Sequence, residues 1–378
     1  MDATQATPML HQLLREMLAR KASDLFLTVG FPPALKVDGA ITPITGQPLA
    51  EADTEALAAC AMNARQRAEF EANHECNFAI SPPDIGRFRV NVFVQQQQVG
   101  LVLRTITTQI PQIDELGLPT ILKDVVMAKR GLVILVGATG SGKSTTLAAM
   151  LGHRNQNSRG HIITVEDPVE FVHEHRNCIV THREIGVDTD SWLSALKNAM
   201  RQAPDVILIG EIRDREEMEY AVSFSETGHL CLATLHANNA DQALDRIISF
   251  YPEERREQVL MNLSLNLKAL ISQRLVPRKN STGRVAAMEI LLNSPLISDL
   301  IFKGEINEIK TVMAKSREIG MQTFDQALFN LFDAGLITYE EALKNADSLN
   351  DLRLRIKLES HSAKETDLMS GLDHLSLT

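Results

Sequence analysis

The stretch "LVILVGATGSGKSTTLAAML", residues 132–151, restricts the fold more than any other part of the chain. Its first five residues are all apolar, without the alternation of a half-exposed strand, which predicts a strand covered on both faces, as in the middle of a parallel sheet. Its last residues suit a helix. Between them, Gly137, Gly142, Lys143 and Ser144 satisfy G-x-x-x-x-G-K-[ST], and the flanking strand and helix argue against a merely structural Gly-rich turn. In such a loop the backbone N–H groups of Gly137, Ala138, Thr139, Gly140, Ser141, Gly142, Lys143, Ser144 and Thr145 face phosphates. The Lys143 ammonium reaches the β and γ oxygens, and the Ser144 hydroxyl ligates Mg²⁺. The loop implies that a triphosphate binds; what is done with it depends on residues elsewhere.

Three more apolar runs follow at helical intervals, "IITV", "VILI" and "LCLATL", which predicts a parallel sheet with helices on its faces. Ligands bind such sheets at the carboxyl ends of the strands. There "HIITVEDPVEF" places Glu166 and Asp167, with Glu170 just beyond Pro168, and "DVILIGEIRD" places Glu211. A carboxylate at this edge can orient an attacking water or hold the water shell of magnesium. Glu211 and at least one of Glu166 and Glu170 are expected to act so, against the alternative of solvated loop charges. In "GHLCLATLHANNA" the strand separates His229 from His236 by roughly 23 Å at about 3.3 Å per residue. Only His236 falls at the catalytic edge, where it is expected to sense the γ-phosphate; His229 is open between a structural role and a subunit contact.

Ahead of this region the chain reads differently. Residues 9–21 show helical spacing of Met9, Leu10, Leu13, Leu14, Met17 and Leu18. "DLFLTVG" and "FPPALKVDGAI" suggest two strands with Asp38-Gly39 as a turn, and residues 51–71 read as a helix. "GRFRVNVFVQQQQVGLVLRTI" predicts two strands joined through the Gln run, with Arg87 and Arg89 on one face and Phe88, Val90 and Val92 on the other. Arg104 ends the second of them. These arginines are open between edge-strand solubility and action in trans on the γ-phosphate of a neighbouring subunit. Two prolines and a glycine in residues 107–119 mark an interdomain linker. Beyond Tyr251 the chain reads as mainly helical, with Ser294-Pro295, Thr323/Gln326 and Thr338/Glu341 as helix starts. The last 18 or so residues lack a pattern and are expected to be flexible.

With a formal charge of -10 and a pI near 5.6, the chain is not expected to bind nucleic acid, since that affinity comes from clustered Lys and Arg. The four cysteines are scattered, with no C-x-x-C pair, and read as reduced thiols in a cytoplasmic protein without a signal peptide or a spanning segment.

In order, "GATGSGKSTT", "ITVEDPVEF", "VILIGEIRD" and "TGHLCLATLHANN" resemble the Walker A, Asp box, Walker B and His box of the secretion-superfamily traffic ATPases. "ASDLFLTVGFPPALKVDG" resembles the start of that family's PAS-like N-terminal domain, so the resemblance covers nearly everything but the tail. It is closest to the type IV pilus retraction ATPases of the PilT/PilU family. The resemblance implies an α/β fold, with a PAS-like mixed α/β domain over 1–106 and the linker over 107–119. A RecA-like P-loop NTPase core with a C-terminal helical sub-bundle would then span 120–345, and a partly flexible extension 346–378. It implies a homohexameric ring, hydrolysis of ATP with Mg²⁺ between subunits, and a partner in the inner-membrane pilus platform protein. Glu170 then corresponds to the proposed general base, Glu211 to the Walker B acid, and Arg89 and Arg104 to arginines that complete the neighbour's site. Assembly-type relatives commonly carry a tetracysteine zinc module that this chain lacks, which favours retraction. Where PilT-type motors read "AIRNLI", this chain has "LISDLI" with Ser298 and Asp299, which points to the PilU branch and to work alongside a PilT-type retraction ATPase. A second reading keeps nucleotide binding but makes the ring a coupling element with little motor activity of its own.

Overall fold

The computed structural model describes residues 3–360 except Asp38, Thr45, Thr107, Thr108, Ser281 and Thr282. The expected flexible tail and Asp38 of the expected turn lie outside the described residues. The chain divides into two compact units, one formed by Met1–Gln109 with Pro168–Val172 and Glu184–Ser191, the other by the remainder.

The first unit begins with α1 (Ala3–Ala19), β1 (Asp24–Leu27), β2 (Ala34–Val37) and β3 (Ala40–Pro43). It continues through α2 (Glu51–Ala61), α3 (Ala64–Asn73), β4 (Glu75–Ile80), β5 (Arg87–Gln95) and β6 (Gln98–Ile106). The strands form one antiparallel sheet in the order β3-β2-β1-β6-β5-β4. Leu10, Leu13, Leu14 and Met17 of α1 pack against Leu25, Leu27, Phe88, Val90 and Val92 of the sheet, the helical face and the strand alternation meeting as their periods require. The β5–β6 turn is made at Gln96 and Gln97, both with positive φ. The helix expected over 51–71 is two helices, because Asn63 interrupts it. Its side chain accepts from the Gln66 amide at 3.0 Å and Gln66 returns the bond to the Asn63 N–H at 2.8 Å, a complete capping box. Strands β3 and β4 had no expectation; each is short and lies at a sheet edge.

The second unit opens with α4 (Ile121–Val126), β7 (Gly131–Val136), α5 (Lys143–Asn157), β8 (Gly160–Glu166) and β9 (Cys178–Glu184). Next come α6 (Trp192–Ala199), β10 (Val206–Ile209), α7 (Arg215–Glu226), β11 (Leu230–Leu235), α8 (Ala240–Ser249) and α9 (Arg256–Asn266). The unit closes with β12 (Leu267–Pro277), β13 (Arg284–Leu292), α10 (Pro295–Lys303), α11 (Ile306–Lys315), α12 (Phe324–Asp333), α13 (Tyr339–Lys344) and α14 (Leu349–Glu359). Its sheet runs β13-β12-β7-β11-β10-β8-β9, with parallel pairing from β8 through β10, β11 and β7 to β12. All four expected strands are there, and β7, β10 and β11 are buried along their whole length.

The mainly helical reading beyond Tyr251 is corrected over 267–292. These residues form β12, parallel to β7, and β13, antiparallel to β12. An apolar run such as "LKALISQRLV" fits a buried helix as well as a buried strand, and the free edge of β7 decides for the strand. The helices that follow begin where expected. The Ser294 side chain accepts from the Ile297 N–H with Pro295 in the first turn, Thr323 and Gln326 form a capping box, and Thr338 accepts from the Glu341 N–H. Phe324, Leu328 and Phe332 of α12 pack on Val276, Val285 and Ala287 of the hairpin and on Leu352 and Ile356, so α14 is part of this core.

Candidate nucleotide site

The Gly-rich loop leaves the carboxyl end of β7 and enters α5, with Gly142 as its N-cap at φ +88°. Two of its glycines are required by space. A Cβ on Gly137 would lie 2.5 Å from Ser141 Oγ and 2.6 Å from the Gln273 carbonyl oxygen, and one on Gly142 would lie 2.8 Å from Gln273 Nε2. Ala138, Thr139 and Gly140 form the exposed crown, and the Ser141 amide closes a turn onto the Ala138 carbonyl at 3.1 Å. The Lys143 Nζ donates to the carbonyls of Gly137 at 2.8 Å and Ala138 at 3.2 Å, so its ammonium already lies across the loop. Ser141 Oγ is buried and has no hydrogen-bond partner within the protein, although a buried hydroxyl is normally satisfied. A loop with this orphan hydroxyl, an inward lysine and the start of a helix is suited to an anion. Thr145 and Ser144 lie half-buried in the first turn of α5, where the Ser144 hydroxyl is a hard oxygen donor of the kind Mg²⁺ takes.

At the same sheet edge the expected carboxylates are stitched into place by the strand ends. The Gly210 N–H donates to the Val165 carbonyl at 2.8 Å, and the Ile212 N–H to that of Thr234 at 2.8 Å. The Thr234 hydroxyl donates to the Gly210 carbonyl at 2.6 Å. Glu211 is thereby held between the ends of β8 and β11. Gly210 lies close under Glu166, whose Cα is 3.2 Å from where a Cβ would be, so a larger residue there would press on the end of β8. Glu211 Oε1 lies 2.9 Å from His236 Nε2, and its Oε2 accepts from Arg213 Nε at 2.9 Å. Arg213 also reaches Asp167 at 3.8 Å, and the hydrogen bond it donates to Glu211 raises the arginine's pKa. Glu166, Asp167, Glu211 and His236 therefore form one edge, with Arg213 as the cation that ties two of the acids together. Arg213 had no expectation although it stands inside "GEIRD". Its backbone N–H is fixed by Glu217 Oε2 at 2.6 Å, through the Asp214/Glu217 capping box of α7.

His229 is at the other end of β11. Its Nδ1 contacts the Phe224 carbonyl at 3.1 Å and the Thr227 hydroxyl at 3.0 Å, so the ring closes the end of α7 and stands outside this cluster.

Glu170, Arg89 and Arg104 belong to the first unit. Glu170 is exposed in the segment Pro168–Val172, where the neighbouring Val169 N–H donates to Glu184 Oε2 at 3.2 Å. Burial raises the Glu184 carboxyl, opposed by that amide and by the charges of Arg89 and Arg87. Arg89 and Arg104 stand directly opposite each other on β5 and β6 and so share a face. Arg104 Nε donates to the buried Asp24 at 2.7 Å while its own side chain remains 66% exposed.

The family described as Type II/IV secretion system protein matches residues 1–330. The chain belongs to this secretion ATPase family. Within it, the chain is 60% identical over 361 residues to the type IV pilus ATPase PilU of Pseudomonas aeruginosa, covering 96% of this chain and 94% of that protein. It is 42% identical to the type IV pilus retraction ATPase PilT of the same organism, over 89% of this chain and 97% of the relative. The crystal structure of the pilus retraction motor PilT with bound ADP superposes with a TM-score of 0.85 at 40% identity, over 91% of this chain and 98% of that one. The fold is thus that of a secretion ATPase, a sheet domain followed by a P-loop ATPase core with helices, and the chain is a P-loop ATP hydrolase. Among the described residues no helix is long and apolar enough to cross a membrane.

Proposed function

We propose that this chain hydrolyses ATP to power retraction of a type IV pilus, and with it twitching motility. The single observation that carries the reading is the edge built by Glu166, Glu211 and His236 beside a phosphate loop whose lysine points inward, on a chain 60% identical to a type IV pilus ATPase. Loop amides and the Lys143 ammonium bind and orient the triphosphate. Ser144 would hold Mg²⁺, which when bound neutralises charge on the phosphate oxygens. Glu211 keeps His236 oriented toward the γ-phosphate position, and Glu170 is the general base for water. Arg89 and Arg104 act on the neighbouring subunit's nucleotide. The working form is a homohexamer at the cytoplasmic face of the pilus machine, turning an inner-membrane platform protein and sharing the load with a PilT-type motor. The departure at Ser298 and Asp299 supports that shared role, since both side chains are engaged within the chain. The Ser298 hydroxyl donates to the Ser264 carbonyl at 2.7 Å and Asp299 pairs with Lys303 at 2.7 Å. A ring that binds nucleotide without hydrolysing it is not favoured, because its relatives are motors and its own acidic edge is intact.

Phosphate release with Mg-ATP tests this directly. Lys143→Ala and Glu211→Gln are each expected to lower turnover by about 100-fold or more. An inactive wild-type protein, alone and with a PilT-type ring, would sink the motor reading.

A further inference from the structure

Gln273 is 3% exposed on β12, far from the phosphate loop in sequence, yet both ends of its carboxamide are spent on that loop. Its Nε2 donates to the Ser141 carbonyl at 2.8 Å, and its Oε1 accepts from the Thr146 hydroxyl at 2.7 Å. One amide therefore spans the turn from the buried end of the loop to the first turn of α5. Gln273 also crowds both glycines of the loop, its carbonyl oxygen standing with Ser141 Oγ against a side chain at Gly137 and its Nε2 against one at Gly142.

The strand that presents it is fixed on every side. Ser272 pairs with Val136, the last residue of β7, and Gln273 itself pairs with Met288 of β13. Next to it, the Arg274 guanidinium stacks 3.8 Å from the Phe324 ring centroid and donates to the Asn345 carbonyl at 2.6 Å and to Asp347 at 2.8 Å. The C-terminal helices thus hold β12 from the far side while Gln273 holds the loop from the near side.

We infer that Gln273 is a positioning residue of the nucleotide site, whose buried carboxamide keeps residues 141–146 in the shape that presents their amides to phosphate. The inference rests on the ATP-hydrolysing reading above. Without the carboxamide, the Ser141 carbonyl and Thr146 hydroxyl would be buried and unpaired, at a cost that the loop escapes by opening toward water. An opened loop no longer aims its N–H groups at one point.

The test is the affinity for ADP carrying a fluorescent ribose label, measured from pH 6 to 8.5, with the melting temperature of the nucleotide-free protein recorded alongside. Gln273→Leu, of similar volume, is expected to weaken binding by about tenfold or more, and Thr146→Val by less, since it removes one bond of the two. Gln273→Glu gives a signature that a space-filling role would not. Protonated, its O–H donates to the Ser141 carbonyl and its C=O accepts from Thr146; ionised, it repels that carbonyl. Binding by this variant should approach wild type at low pH and fall as pH rises, a step that wild type and Gln273→Leu lack. Wild-type affinity in Gln273→Leu, or tight binding by Gln273→Glu at every pH, would overturn the inference. If Gln273→Leu does not fold, Thr146→Val and the pH step of Gln273→Glu decide it. Absence of turnover in a wild type that binds the labelled ADP counts against the motor reading alone.

Discussion

Glu289 sits 1% exposed on β13, where its Oε1 accepts from the Ala240 N–H at 2.7 Å and the Ser272 hydroxyl at 3.1 Å. It therefore ties the start of α8, just past His236, to the strand that carries Gln273. Burial pushes its carboxyl up to about 7, against the pull of the Ala240 amide and of Lys310. A folded pKa above the unfolded one means that the unfolded chain releases its proton first. The stabilisation is complete below the unfolded value near 4.5 and is lost as pH rises through about 7, on the order of 3 kcal/mol in all. Glu289→Gln keeps the acceptor and removes the titration. The variant should match wild type at pH 4.5 and exceed it in melting temperature at pH 8; parallel curves across that range would show that Glu289 does not titrate there. Little of this was legible in the sequence. Lys143 and Glu211 stand in spaced motifs next to apolar strands, so the roles proposed for them can be read in one dimension. Gln273 and Glu289 are single polar residues in apolar runs, and only the neighbours that pairing brings to them give them work.

Thr323 shows what an element can say about itself. Its hydroxyl accepts from the Gln326 N–H at 3.3 Å while Gln326 Oε1 accepts from the Thr323 N–H at 3.1 Å, and Gln326 Nε2 goes on to the Ala314 carbonyl at 2.9 Å. The cap is local, so four residues suffice to announce it. Thr323→Ala is expected to cost about 1 kcal/mol in a urea titration, with Thr323→Ser restoring most of it; equal losses in both would mean that the methyl matters rather than the cap. The alternation in β5 is equally local, and it foretold which face holds Arg87 and Arg89. The hairpin β12–β13 is the opposite case. Its residues tolerate either helix or strand, and it becomes a strand pair because β7 leaves an edge to be paired and α12 supplies a cover for Val276, Val285 and Ala287.

For the assembled molecule the sharpest expectation concerns Arg89 and Arg104. If they complete a neighbour's site, chains with Arg89→Ala and chains with Lys143→Ala are each inactive alone, yet mixing them and allowing subunits to exchange should restore part of the turnover. Some interfaces then pair an intact Lys143 with an intact Arg89. No recovery in mixed rings would place Arg89 in the chemistry of its own chain or outside it altogether. The sequence by itself determined the parallel core, the Gly-rich loop between β7 and α5, the strand ends that carry Glu166, Asp167 and Glu211 and the starts of the late helices, because each is written in residues close together along the chain. Tertiary structure decided the rest: that β12 lies beside β7, that Gln273 reaches the loop, that Arg213 joins Glu211 to Asp167, and that His229 closes a helix at the far end of its strand. These follow from which strand edges remain open and which buried polar groups must find partners, conditions that exist only once the chain has folded on itself.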